Sequence, residues 1–154
     1  MLHKSRMLLC FAAVLAAGCS MEPDPPRNLG NPYPDASELR LFVHSNYDES
    51  GKPVLTKEAG RTLTAEERQA FERTLRIEPA PDEYSACFIP HHFFAYFDPE
   101  GKKVGEIEVC FCCAGVQASP EIVAPIGPDE VLSADYDALE KLVQSMGEPT
   151  DIEC

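Results

Sequence analysis

A chain of 154 residues carrying 26 acidic against 13 basic side chains, for a net charge of −13, lacks the basic footprint that nucleic-acid binding requires. At this length there is room for one small hydrophobic core, and no internal repeat or glycine-rich phosphate loop is visible. Seven cysteines are many for such a chain, and where they fall carries most of the functional signal.

The N-terminus places basic His3, Lys4 and Arg6 before an apolar run from Met7 to Ala17. That run is about 11 residues long, whereas a helix spanning the bilayer needs about 20. A short apolar run with positive charge before it and small residues after it is the pattern of a secretion signal. The run ends Leu15-Ala16-Ala17-Gly18-Cys19, and here the chain resembles the lipobox of bacterial lipoproteins. The resemblance covers residues 1–20, with Ala16 where that pattern prefers leucine. It implies cleavage after Gly18 and a lipid on Cys19, which becomes the mature N-terminus. Ser20 after the cysteine resembles the outer-membrane sorting pattern of Gram-negative lipoproteins. The expected location is thus the cell envelope, anchored through Cys19, and the outer membrane if the cell is Gram-negative. Several acyl chains on one cysteine anchor stably, where a single chain binds only marginally.

Residues 20–35 hold five prolines and no apolar periodicity, which predicts a solvated tether over 19–35. A single domain is expected over 36–154. Without Lys4 and Arg6 the exported chain carries about −15, so anionic headgroups would repel it and the lipid would make the membrane contact.

Within the domain, Leu39, Leu41 and Val43 alternate as one face of a first strand, and Val54-Leu55 forms a short extended piece. Thr64 and Glu67 have capping-box spacing and open a helix with Ala70, Phe71 and Leu75 on its apolar side. Pro79 and Pro81 end that region. Residues 93–97 and 104–112 then read as a hairpin across the turn Asp98-Pro99-Glu100-Gly101. A second helix is expected over 133–146 on the stripe Tyr136, Leu139, Leu142, Val143 and Met146, with Gly147 as its C-cap. The fold class expected is α+β: one small antiparallel sheet of three or so strands packed against two helices.

Of the seven cysteines, Cys10 leaves with the signal and Cys19 takes the lipid. Five remain: Cys87, Cys110, Cys112, Cys113 and Cys154. Setting Phe97 opposite Lys102 places His91 near Glu108 and Cys87 near Cys112, with Ile107, Val109 and Phe111 facing the core. Three readings stay open for this Cys/His-rich hairpin over 87–113. The first is a structural disulfide, most simply from Cys87 to Cys110 or Cys112. The second is a zinc or copper site drawn from Cys87, His91, His92, Cys110, Cys112 and Cys113. The third is thiol redox chemistry at Cys110-Phe111-Cys112-Cys113, although that pair lies on a strand and not at a helix N-terminus.

The same segment looks like a group of uncharacterised bacterial proteins with Cys-Phe-x-Pro-x-His, a hairpin, then Cys-Phe-x-Cys. The pattern falls on Cys87, Phe88, Pro90 and His92, then on Cys110, Phe111 and Cys113, and brings no activity with it. It selects His92 and Cys113, where the flat register selects His91 and Cys112. No catalytic residues can be singled out. The sequence therefore points to a membrane-anchored envelope protein, non-enzymatic, structural or interacting with a protein partner it does not name. Metal binding and thiol oxidoreduction are the alternatives.

Overall fold

The structure is a computed structural model that describes residues 25–50, 52–83, 87–122 and 126–152. The secretion signal, Cys10, Cys19 and Cys154 lie outside the described residues.

Two sheets and two helices make up the described fold. Chain order runs β1 (Arg27–Asn28), β2 (Glu38–Tyr47), β3 (Pro53–Leu55), β4 (Arg61–Thr62), α1 (Ala65–Thr74), β5 (Leu75–Pro79), β6 (His92–Phe97), β7 (Lys103–Cys110), β8 (Gly115–Ser119), β9 (Glu130–Ala134) and α2 (Tyr136–Ser145). One sheet has six strands, in the order β3-β2-β6-β7-β8 with β4 also on β2, and the other has three, β1-β5-β9. The fold remains α+β, but the expectation of one sheet of three or so strands is corrected. The strands beyond it are short, and two of them sit where sequence periodicity reads helix. Leu75 continues the apolar stripe of α1 yet is already extended and opens β5. Residues 130–134 form β9 and pair with β5, Leu75 opposite Ala134 and Ile77 opposite Leu132, so the second helix starts only at Tyr136.

Local chemistry explains the elements that were foreseen. Thr64 caps α1 with both halves of the capping box present, and α2 is capped by Asp135, whose side chain accepts from Ala138 N–H. At the hairpin turn Gly101 takes φ +79° and the Asp98 carboxylate accepts from Lys102 N–H at 2.8 Å, the usual work of Asp and Gly in turns.

One face of the six-stranded sheet carries the core. Leu39, Leu41 and Val43 of β2, Phe94 and Tyr96 of β6, and Ile107 and Val109 of β7 cluster with Phe71 of α1 and Leu139 and Val143 of α2. Leu75 and Ala134 bring the smaller sheet into the same cluster. Part of the expected tether is packed here too. Arg27 and Asn28 pair with β5, and buried Tyr33 donates its hydroxyl to the Pro120 carbonyl at 2.7 Å.

Candidate functional site: a cysteine cluster at the end of β7

β7 ends at Cys110, which pairs with Gly115 at the start of β8. The intervening Phe111-Cys112-Cys113-Ala114 is a tight turn, with Ala114 at φ +49° and its N–H directed at the Phe111 carbonyl. Four residues between paired strands bring every side chain of the turn close to its neighbours. Cys110 and Cys113 lie at disulfide distance, with Cα atoms 5.7 Å apart. Cys112 Sγ stands 3.4 Å from Cys110 Sγ, and all three sulfurs lie within 4.8 Å of one another. Cys110 is buried, Cys113 half-buried and Cys112 exposed, so the cluster is rooted in the fold and open on one side.

The partner of Cys110 at disulfide distance is therefore Cys113, whereas the flat hairpin pointed to Cys87. A bulge at Tyr96/Phe97 pairs Phe97 with Lys103, and beyond it Phe93 faces Glu108 and His92 faces Val109. The shift is two residues from the expected register, which preserves the faces while changing the partners. Cys87 nonetheless comes to the same place. Together with Phe88 and Cys113 it lines a groove of about 800 Å³ running between β8 and β9. The Phe88 ring lies so close to Gly115 that a Cβ there would come within 2.6 Å of it.

The two adjacent histidines point elsewhere. His91 Nδ1 donates to the His44 carbonyl at 2.9 Å, tying the start of β6 to β2. His92 lies on the core face, where Nε2 donates to the Pro149 carbonyl at 2.7 Å and the Phe111 ring meets it edge-on at 4.8 Å. Burial pushes the His92 pKa down to about 4, so its imidazole is neutral at physiological pH. Among the described residues no imidazole nitrogen or carboxylate oxygen joins the three sulfurs within 4.8 Å. Among the described residues the side chains gathered here are those of Cys110, Cys112 and Cys113.

His44 reads from the sequence as a lone strand histidine with a structural or exposed role, not as a ligand. It stacks on Phe93 with ring centroids 4.1 Å apart, on the sheet face opposite the core, where Phe42, Phe93 and Phe97 line a shallow depression of about 330 Å³.

No protein-family model matches the chain. No curated protein and no solved structure matches it either. Among the described residues no helix is long and apolar enough to cross a membrane.

Proposed function

We propose that this chain is a lipid-anchored protein of the bacterial cell envelope, and that its folded domain is a non-enzymatic structural or interaction module stapled at Cys110–Cys113. The anchor rests on the run Leu15-Ala16-Ala17-Gly18-Cys19 behind a short basic and apolar leader. The observation that carries the reading of the domain is the cysteine pair at disulfide distance, because such bonds persist in exported proteins and are rare in reducing cytoplasm. Membrane attachment runs through the acyl chains on Cys19, and the acidic domain stays off anionic headgroups. The experiment is fractionation of bacteria expressing the full chain, with mass spectrometry of the mature N-terminus. Acylated Cys19 in the membrane fraction, and unlipidated protein on Cys19→Ala, is the expected result. A bare thiol at Cys19 in the wild-type protein ends the proposal.

A second reading has its own observation. A staple uses two sulfurs, and here a third lies 3.4 Å from one of them. Three sulfurs within 4.8 Å support a thiophilic metal, zinc or copper, held in the reduced protein. Metal analysis of the reduced and the oxidised chain separates the two readings: about one equivalent of metal on the reduced chain supports this one, and none removes it.

A further inference from the structure

Resting on the reading of the domain as an interaction module, we infer that the groove between β8 and β9 receives an extended, basic segment of a protein partner, with apolar side chains in the groove and cationic ones on its rim.

Two strand edges meet at this groove. β8 is the last strand of the six-stranded sheet and β9 the last of the three-stranded one. β8 pairs with β7 and β9 with β5, and among the described residues neither has a second strand beside it in its sheet. The outer side of such a strand offers backbone N–H and C=O groups that an extended chain can bond. Folded proteins commonly blunt an edge of this kind with lysine, proline or a bulge. β8 reads Gly-Val-Gln-Ala-Ser and β9 reads Glu-Val-Leu-Ser-Ala, without lysine or proline, and both pairings run without a register shift.

The side chains of the groove state the chemistry of the partner. Its volume of about 800 Å³ is that of a cleft built for a ligand. The apolar lining includes Val116 and Ala118 of β8, Leu132 of β9 and Tyr136 of α2, all half-buried. The charged lining is Glu78, Glu83, Glu121 and Glu130, and no lysine or arginine joins it among the described residues. Arg27 occupies Glu130 at 2.8 Å. Glu78, Glu83 and Glu121 form no ion pair among the described residues, whereas Glu38, Glu67, Glu72 and Glu106 each hold an arginine or lysine.

Uncompensated carboxylates beside an apolar cleft attract cations and repel anions. They select a segment that is both basic and apolar over one that is acidic or merely polar. A second copy of this chain, at net charge −13, would bring like charge to the same rim. In an extended segment side chains alternate between two sides, so apolar residues turned into the groove leave every second position to reach the carboxylates.

The test titrates the mature full chain, in nonionic detergent, with a peptide of about eight residues alternating Lys and Val. Calorimetry should show saturable binding at a single site that weakens as salt rises. Amide hydrogen exchange should slow in β8 or β9 and stay unchanged in β3. Peptides alternating Glu with Val, or Lys with Ser, should not bind. Glu83→Gln/Glu121→Gln should weaken the Lys-Val peptide about tenfold. Glu58→Gln/Glu100→Gln, of equal net charge but outside the groove, should bind as the wild type does. Val131→Lys sets an ammonium opposite Glu78 and should abolish binding while the unfolding midpoint stays near that of the wild type. Double variants that bind alike would reduce the attraction to net charge and overturn the groove. Binding retained by Val131→Lys, or exchange slowed only in other strands, would move the contact elsewhere and leave the interaction module standing. Self-association of the chain that the peptide competes away would make a second copy the occupant and end the inference. If the Lys-Val peptide does not bind at all, the inference fails, while the anchor and the staple are decided separately by fractionation and peptide mapping.

Discussion

His92 Nε2 donates across 2.7 Å to the carbonyl of Pro149, so an imidazole on the core face of β6 fastens the segment that leaves α2. The bond fixes the proton on Nε2, and Nδ1 is buried with no hydrogen-bond partner among the described residues. Protonating Nδ1 would place a charge in the core, which is why burial holds the pKa at about 4 against an ordinary 6.5. The unfolded chain therefore binds the proton first as pH falls. Stability from neutral His92 is complete above pH 6.5, declines below it, and is gone below about 4. Between pH 7 and pH 5 this one group should remove about 2 kcal/mol. His44, lowered by burial and by His91, adds the same sign, whereas Glu108, raised by burial and by Glu106, works in the opposite sense as it protonates. Glu67, held down to about 2 by Arg61, stays ionised throughout the window. Urea unfolding at the two pH values, with the His92 ring followed by NMR, checks this. A His92 titrating near 6.5 would refute it.

Phe71 of α1 stacks on Phe94 of β6 with ring centroids 3.8 Å apart, and neither ring is exposed to solvent. Phe71→Ala should cost about 3–5 kcal/mol, since the transfer loss is joined by a cavity between helix and sheet. Denaturant unfolding reads the midpoint, and a loss below about 1 kcal/mol would mean that α1 is not seated there.

What the sequence revealed and what it hid divide along physical lines. Thr64 with Glu67, the Asp98–Gly101 turn and the stripe of α2 are local signals, completed within a few residues, and each is present in the fold. The alternation that put Ile107 and Val109 inside holds as well. Strands of two to five residues such as β1, β4, β5, β8 and β9 are too short to show a period of their own. Leu75 and Ser133 even extend a helical stripe. The bulge at Tyr96/Phe97 costs no hydrophobic residue its place, so the pattern cannot announce it. At the candidate site, spacing alone brought Cys110, Cys112 and Cys113 together. The choice of Cys113 over Cys87 depends on a turn with Ala114 at positive φ, a conformation alanine does not advertise.

Gly105 offers a test of close packing across the domain. A Cβ there would lie 2.2 Å from the Tyr33 ring, and Tyr33 is fixed by its bond to Pro120. Gly105→Ala should cost about 1–3 kcal/mol by overpacking. Much of that should vanish in a Tyr33→Ala background, where the ring is gone, so the double-mutant cycle should show strong coupling. Gly101→Ala is the contrasting case, with nothing within 4 Å but φ at +79°. Its cost of about 1–2 kcal/mol comes from backbone conformation alone and should be additive with Tyr33→Ala. Equal coupling in both cycles would contradict the packing of residue 33 on β7.

The staple can be identified by how much it contributes. A bond from Cys110 to Cys113 closes a loop of four residues, which in the chain-entropy account contributes about 2 kcal/mol, whereas a link from Cys87 to Cys110 would enclose 24 residues and contribute roughly 3.5 kcal/mol. Cys113→Ser should therefore lower stability by about 2 kcal/mol, read as the midpoint of denaturant unfolding. Peptide mapping of the oxidised protein should recover Cys110 linked to Cys113. A stability loss on reduction that survives Cys113→Ser but disappears with Cys87→Ser would move the staple across the hairpin.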